Sequence, residues 1–96
     1  MPLAYKVAKA RVLQALKTGA YLHEPRSGID VKNLLAMGEI SVEDVMTLIA
    51  RSSGTEHTES PHHVLKTIPV HCIITKGWYI KFYFLDPDTW FISVHQ

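Results

Sequence analysis

The stretch WYIKFYFLDPDTWFISVHQ, residues 78–96, decides how this chain folds. It holds two runs of aromatic and β-branched residues, broken by Asp86, Pro87 and Asp88, which is the composition of two strands and a turn. Side chains alternate across a strand. Trp78, Ile80, Phe82 and Phe84 therefore share one face, and Tyr79, Lys81 and Tyr83 share the other. In the last run Trp90, Ile92 and Val94 oppose Phe91, Ser93 and His95. One side of this hairpin is apolar, and the other carries tyrosines, a lysine and a histidine.

The preceding run, Val70 to Ile74, alternates in the same way, with Val70, Cys72 and Ile74 opposing His71 and Ile73. Matching apolar faces sets the register. A three-residue turn Thr75-Lys76-Gly77 pairs Cys72 with Ile80, with Gly77 in the left-handed position at its end. A three-residue turn at Asp86-Pro87-Asp88 pairs Phe84 with Trp90 and Phe82 with Ile92. In that register Lys81 stands between His71 and Ser93, and Tyr79 stands opposite His95. Directly opposed side chains have Cβ atoms roughly 4.5 to 5.5 Å apart. His71, Tyr79, Lys81 and His95 thus form one patch of two imidazoles, a phenol and an ammonium. Such groups suit attack of a ribose 2′-hydroxyl on the adjacent phosphate: one takes the proton, one protonates the leaving oxygen and a cation holds the developing charge. The same groups also suit a solvated sheet face or a protein-binding face.

The N-terminal half has helical period. Val7, Ala8, Val12, Leu13 and Leu16 form an apolar stripe, with Lys6, Lys9, Arg11 and Lys17 mostly off it and Gly19 as the stop. The basic face reads as solvated, with phosphate contact as its alternative. YLHEPRSGID, residues 21–30, is a connector, and IDVKNLLAMG, residues 29–38, is a short helix. Ser41 caps a further helix to about Arg51, with Asp44 three residues on. Residues 52–63 are polar and form a loop, and a first strand is expected over residues 63–68. The chain is thus a single α+β domain over residues 1–96, with helices packed on one face of an antiparallel meander.

Composition bounds the function. At 96 residues with 47% hydrophobic, the chain has one small core. The net charge of +1 does not announce a nucleic-acid binder. A single cysteine excludes an intramolecular disulfide and fits a reducing compartment. Charges interrupt the N-terminal apolar residues, and no run reaches a membrane span, so the expectation is a soluble cytoplasmic protein with no membrane partner.

Other groups carry less. His57, His62, His63 and His71 with Glu56 and Glu59 lack the spacing of a metal motif, so no metal or cofactor is expected. Cys72 is placed in the core beside Ile80. Trp78 and Trp90 read as core aromatics, whereas Tyr83 and Phe91 oppose each other on the patch face, where they either pack together or stack on bases.

The order of elements, with VLQALKTGAY, SVEDVMTLIA, GWYIKFYF and the closing FISVHQ, is similar to the motility quorum-sensing regulator toxins within the wider RelE-like ribonuclease group. The likeness covers nearly the whole chain and is best at Trp78 to Lys81. It implies two to three helices on one face of the sheet, metal-independent endonucleolytic cleavage of mRNA, and a cognate antitoxin protein as partner. The family's catalytic tyrosine falls on Tyr79, the lysine two residues later on Lys81, the basic residue near the C-terminus on His95, and a polar residue before the strands near Lys66. Two features depart from the pattern. The family's lysine after the central helix meets Glu59, which would not hold a phosphate, and the family's strong positive charge is missing.

Overall fold

The computed structural model describes residues 2–23, 33–62, 66–85 and 87–96. Helix α1 runs Pro2–Thr18 and helix α2 runs Val42–Arg51. The strands are β1 (Tyr21–His23), β2 (His57–Pro61), β3 (Pro69–Thr75), β4 (Trp78–Leu85) and β5 (Asp88–His95). They form one sheet in the order β1-β5-β4-β3-β2. β2 to β5 are an antiparallel meander, and β1 adds to β5 in parallel. The expected α+β class holds, with two α-helices and a mixed five-stranded sheet among the described residues.

Local signals explain most of these boundaries. Gly19 ends α1 at φ +81°, and its N–H donates to Ala15 O at 2.9 Å. Ser41 caps α2, accepting from the Asp44 N–H at 3.1 Å. β1 lies inside the stretch read as a connector. β2 lies inside the stretch read as a polar loop, because an edge strand with both faces mostly exposed has no apolar period to betray it. Of the expected strand over 63–68, residues 63–65 lie outside the described residues and residues 66–67 are a turn. Of the expected short helix, residues 29–32 lie outside the described residues and residues 34–38 are turns.

Both helices cover one side of the sheet. Tyr5, Ala8, Val12 and Leu16 of α1 and Val45 and Ile49 of α2 meet Ile73, Ile80, Phe82, Phe91 and Val94. Val7, expected in the α1 stripe, is 53% exposed, and Tyr5 takes its place. On the opposite side, Val70, Tyr83 and Ile92 form a second cluster, joined by Ile68 and Trp90. His62 packs edge-on against Tyr83, with ring centroids 4.8 Å apart. Residues 62 and 68 therefore cover part of the face that the helices leave open.

Both hairpin turns are one residue shorter than expected. Thr75 pairs with Trp78, leaving Lys76 and Gly77 as a two-residue turn with φ of 53° and 79°. Two consecutive positive φ values are the type I′ geometry, whose twist matches that of the strands. Leu85 likewise pairs with Asp88. On β5, however, the partners jump from Phe91 opposite Phe82 to Ser93 opposite Lys81. Ile92 is the extra residue of a β-bulge.

Candidate active site

The bulge restores the register that the short β4–β5 turn would have displaced. Tyr79 pairs with His95 and Lys81 with Ser93, as the sequence predicts. The Tyr79 and His95 rings lie 5.0 Å apart with their planes 18° from parallel, on the side away from the helices. Both are half-buried. Lys81 sits one row along, also half-buried, and its cross-strand neighbours are Cys72 and Ser93. Among the described residues, that row holds Thr58, Cys72, Lys81 and Ser93 and no carboxylate.

Hydrogen bonding orients the His95 ring. His95 Nδ1 is 3.0 Å from the main-chain oxygen of Gln96, which can only accept, so Nδ1 is the donor there and Nε2 is turned to the site. Burial, and then contact with the Cys72 thiol, push the Tyr79 phenol above the ordinary tyrosine range. Tyr79 therefore holds its proton at neutral pH and is a donor. The two neighbours present complementary functions, an imidazole lone pair and a phenolic proton.

His71 is not part of this site. On β3 the two-residue turn is not compensated by a bulge, and a register slip of one residue turns every side chain to the other face. His71 pairs with Phe82 and faces the helices, where it is buried. Cys72 comes out beside Lys81 instead of beside Ile80. His71 Nδ1 lies 3.0 Å from His57 Nε2, and its ring stacks on Phe82 at 5.6 Å. Burial lowers the pKa of both imidazoles. The His57 ring lies at 5.5 Å from that of Tyr5. Sequence reasoning missed this pair, because β2 was invisible and His57 had no assigned face.

The expected RNA-contacting residues also move. Phe91 is fully buried in the helix-side core, because the bulge sends it there together with Val94. Tyr83 stays on the open face, but it is buried beside His62 and pairs with Trp90, not Phe91. Trp90, read as a core residue, is on the open face and half-buried. Lys66 is exposed near the Pro61–Pro69 end of the β2–β3 pair. Tyr79 pairs with Ile74, five residues further along β3, roughly 17 Å at 3.2 to 3.4 Å per residue. Lys66 thus stands beyond the β2–β3 end of the sheet, beside Glu59 and Pro61 and apart from His95. Glu59 is exposed and pairs with His71, so its charge lies on the helix side, away from Lys81.

Among the described residues, no group of three or more His, Cys, Asp or Glu side chains could hold a metal ion, and no helix is long and apolar enough to cross a membrane. His63 of the histidine group lies outside the described residues. Comparison of the chain with protein-family models, with curated proteins and with solved structures returns no match.

Proposed function

We propose that this chain is a metal-independent endoribonuclease of the RelE-like kind, closest to the motility quorum-sensing regulator toxins, neutralised by a cognate antitoxin protein. The observation that carries the reading is the contact of Tyr79 with His95 at 5.0 Å on the face away from the helices, one row from Lys81. The His95 Nε2 lone pair takes the proton of a ribose 2′-hydroxyl as its oxygen attacks the neighbouring phosphorus. The bond from phosphorus to the 5′-oxygen breaks, and Tyr79 donates its proton to that oxygen. An alkoxide is far more basic than a phenolate, so even a phenol with a raised pKa gives up its proton to it. The Lys81 ammonium stabilises the charge gathering on the phosphoryl oxygens. The products are a 2′,3′-cyclic phosphate and a free 5′-hydroxyl, and no water or metal enters the step.

A non-enzymatic protein-binding module is the second reading. Ile74, 52% exposed beside Tyr79, and Leu85, 41% exposed, put apolar surface on the same face. Incubation of the purified protein with a mixed single-stranded RNA in excess EDTA separates the two. Cleavage to cyclic phosphate ends, lost in Tyr79→Phe and His95→Ala, is the expected result. An intact RNA, together with normal growth of bacteria expressing the protein, would leave the binding module.

A further inference from the structure

We propose that Trp90 is a base-stacking platform, seating a nucleotide roughly two steps along a single strand from the cleaved phosphate. The inference rests on the ribonuclease reading above and adds a residue that the resemblance does not supply. Its origin is the bulge at Ile92. Without the extra residue, the strand alternation that puts Ser93 and His95 on the open face would put Phe91 there too and turn Trp90 under the helices. With it, Phe91 is fully buried and Trp90 shares the open face with Ser93 and His95. An unbulged strand could not put Trp90, Ser93 and His95 on one face.

The indole is available for stacking. Its ring is nearly parallel to that of Tyr83, 6° apart, but the centroids are 6.4 Å apart. Rings stacked face to face lie roughly 3.5 to 4 Å apart, so the two centroids are too far apart for full overlap. Tyr83 itself is shut in by His62 and Ile68. On its other flank Trp90 meets Leu22, which is 42% exposed. Among the described residues, Trp90 is the ring at this end of the face that is neither fully buried nor covered by a neighbour.

The spacing and the charges suit a nucleic-acid strand. Tyr79, paired with His95, and Tyr83, paired with Trp90, are four residues apart on β4, or about 13 Å at 3.2 to 3.4 Å per residue. That is roughly two steps of extended single strand. Lys81 occupies the row between them, where a backbone phosphate would pass. A cation between two aromatic positions is the arrangement that binds single strands without reading their sequence. Asp88, paired with Leu85 one row past Trp90, repels a further phosphate and ends the track.

The test uses full-length protein carrying Trp78→Phe, which leaves Trp90 as the only tryptophan, and non-cleavable oligodeoxyuridylates of two and four nucleotides. The tetranucleotide should quench the fluorescence and bind about 5- to 150-fold more tightly than the dinucleotide, the gain expected from one stacked base. Trp90→Leu, which leaves no tryptophan to read and is followed by the anisotropy of a 5′-fluorescein label on the same oligonucleotides, should abolish that length gain and raise KM for RNA cleavage. An abasic unit at the third position should reproduce the loss with unmutated Trp90, whether or not the leucine variant folds. A length gain that survives both changes overturns the platform even if RNA is cleaved. Quenching and a length gain without any cleavage would keep the platform and remove the ribonuclease reading. Neither binding nor cleavage would remove both and leave the face to a protein partner.

Discussion

Three histidines should make this fold steeply sensitive to mild acid. Asn33 is fully buried, and its Oδ1 accepts from the Ala36 N–H at 3.0 Å. Its Nδ2 must therefore donate to His23 Nδ1, 3.0 Å away, which requires that nitrogen to be unprotonated. His57 Nε2 and His71 Nδ1 face each other at 3.0 Å and share one proton, so the two rings cannot both become imidazolium without breaking the bond. Glu59 favours the charged forms of this pair, and Arg11 of α1 opposes charge on His71. Burial is the largest cause at all three, and it holds each below the ordinary 6.5. The sign follows from linkage. The unfolded chain takes up these protons first, so stability is full above about pH 6.5 and falls as the pH drops toward the folded-state values. Each depressed histidine can steepen the curve by at most about 1.4 kcal/mol per pH unit, and three by about 4. A loss of 1.4 kcal/mol moves a urea midpoint by roughly 0.5 to 1.4 M, at about 1 to 3 kcal/mol per M. Urea midpoints measured between pH 7.5 and 5.5 should fall as the pH drops below about 6.5. His71→Phe, which keeps an aromatic ring against Phe82, should flatten that fall. A midpoint that does not change across this range would refute the reasoning, and so would an undiminished slope in His71→Phe.

Three further substitutions test the hairpins. Lys76 holds φ +53° ahead of Gly77, a conformation that costs a non-glycine residue about 1 kcal/mol, so Lys76→Asn, giving the Asn-Gly pair that type I′ turns prefer, should raise stability by up to that amount in chemical denaturation. A loss would mean that the turn has another form. Phe91→Ala should cost about 3 to 5 kcal/mol, as for a fully buried aromatic ring, and Trp90→Ala distinctly less; the reverse order in a denaturation series would place the bulge elsewhere.

Legibility followed burial. α2 was clear because a capping residue, a helical period and a buried stripe of Val45 and Ile49 all agree. β4 was clear because one face is apolar along its length, from Trp78 through Ile80 and Phe82 to Phe84. β1 and β2 were hidden for the complementary reason. Tyr21–His23 is too short to show a period, and His57–Pro61 buries little on either side, so their backbone hydrogen bonds hold them without a matching side-chain pattern. β1 depends besides on partners distant in sequence, Tyr21 pairing with Thr89, which no local window contains.

The site shows how a residue's face can be right for an incomplete reason. The expected three-residue turn at residues 86–88 and the observed shorter turn with a bulge at Ile92 both place His95 opposite Tyr79. They differ only between the turn and the bulge, which is where Trp90 and Phe91 exchange faces. On β3 the same shortening meets no bulge, and His71 changes sides. Matching apolar faces could not settle that choice, since Val70, Cys72 and Ile74 look as fit for a core as His71, Ile73 and Thr75. The chain resolves it with polar partners. His71 can be buried because His57 supplies a hydrogen bond and Phe82 a stacking surface, and Ile74 is left 52% exposed in exchange. Hydrophobic matching therefore determines register only where buried polar side chains have no partner of their own. His71 and Phe91, the two expected site residues that turn to the helix side, both meet rings of strands that carry no local signal, His57 of β2 and Tyr21 of β1.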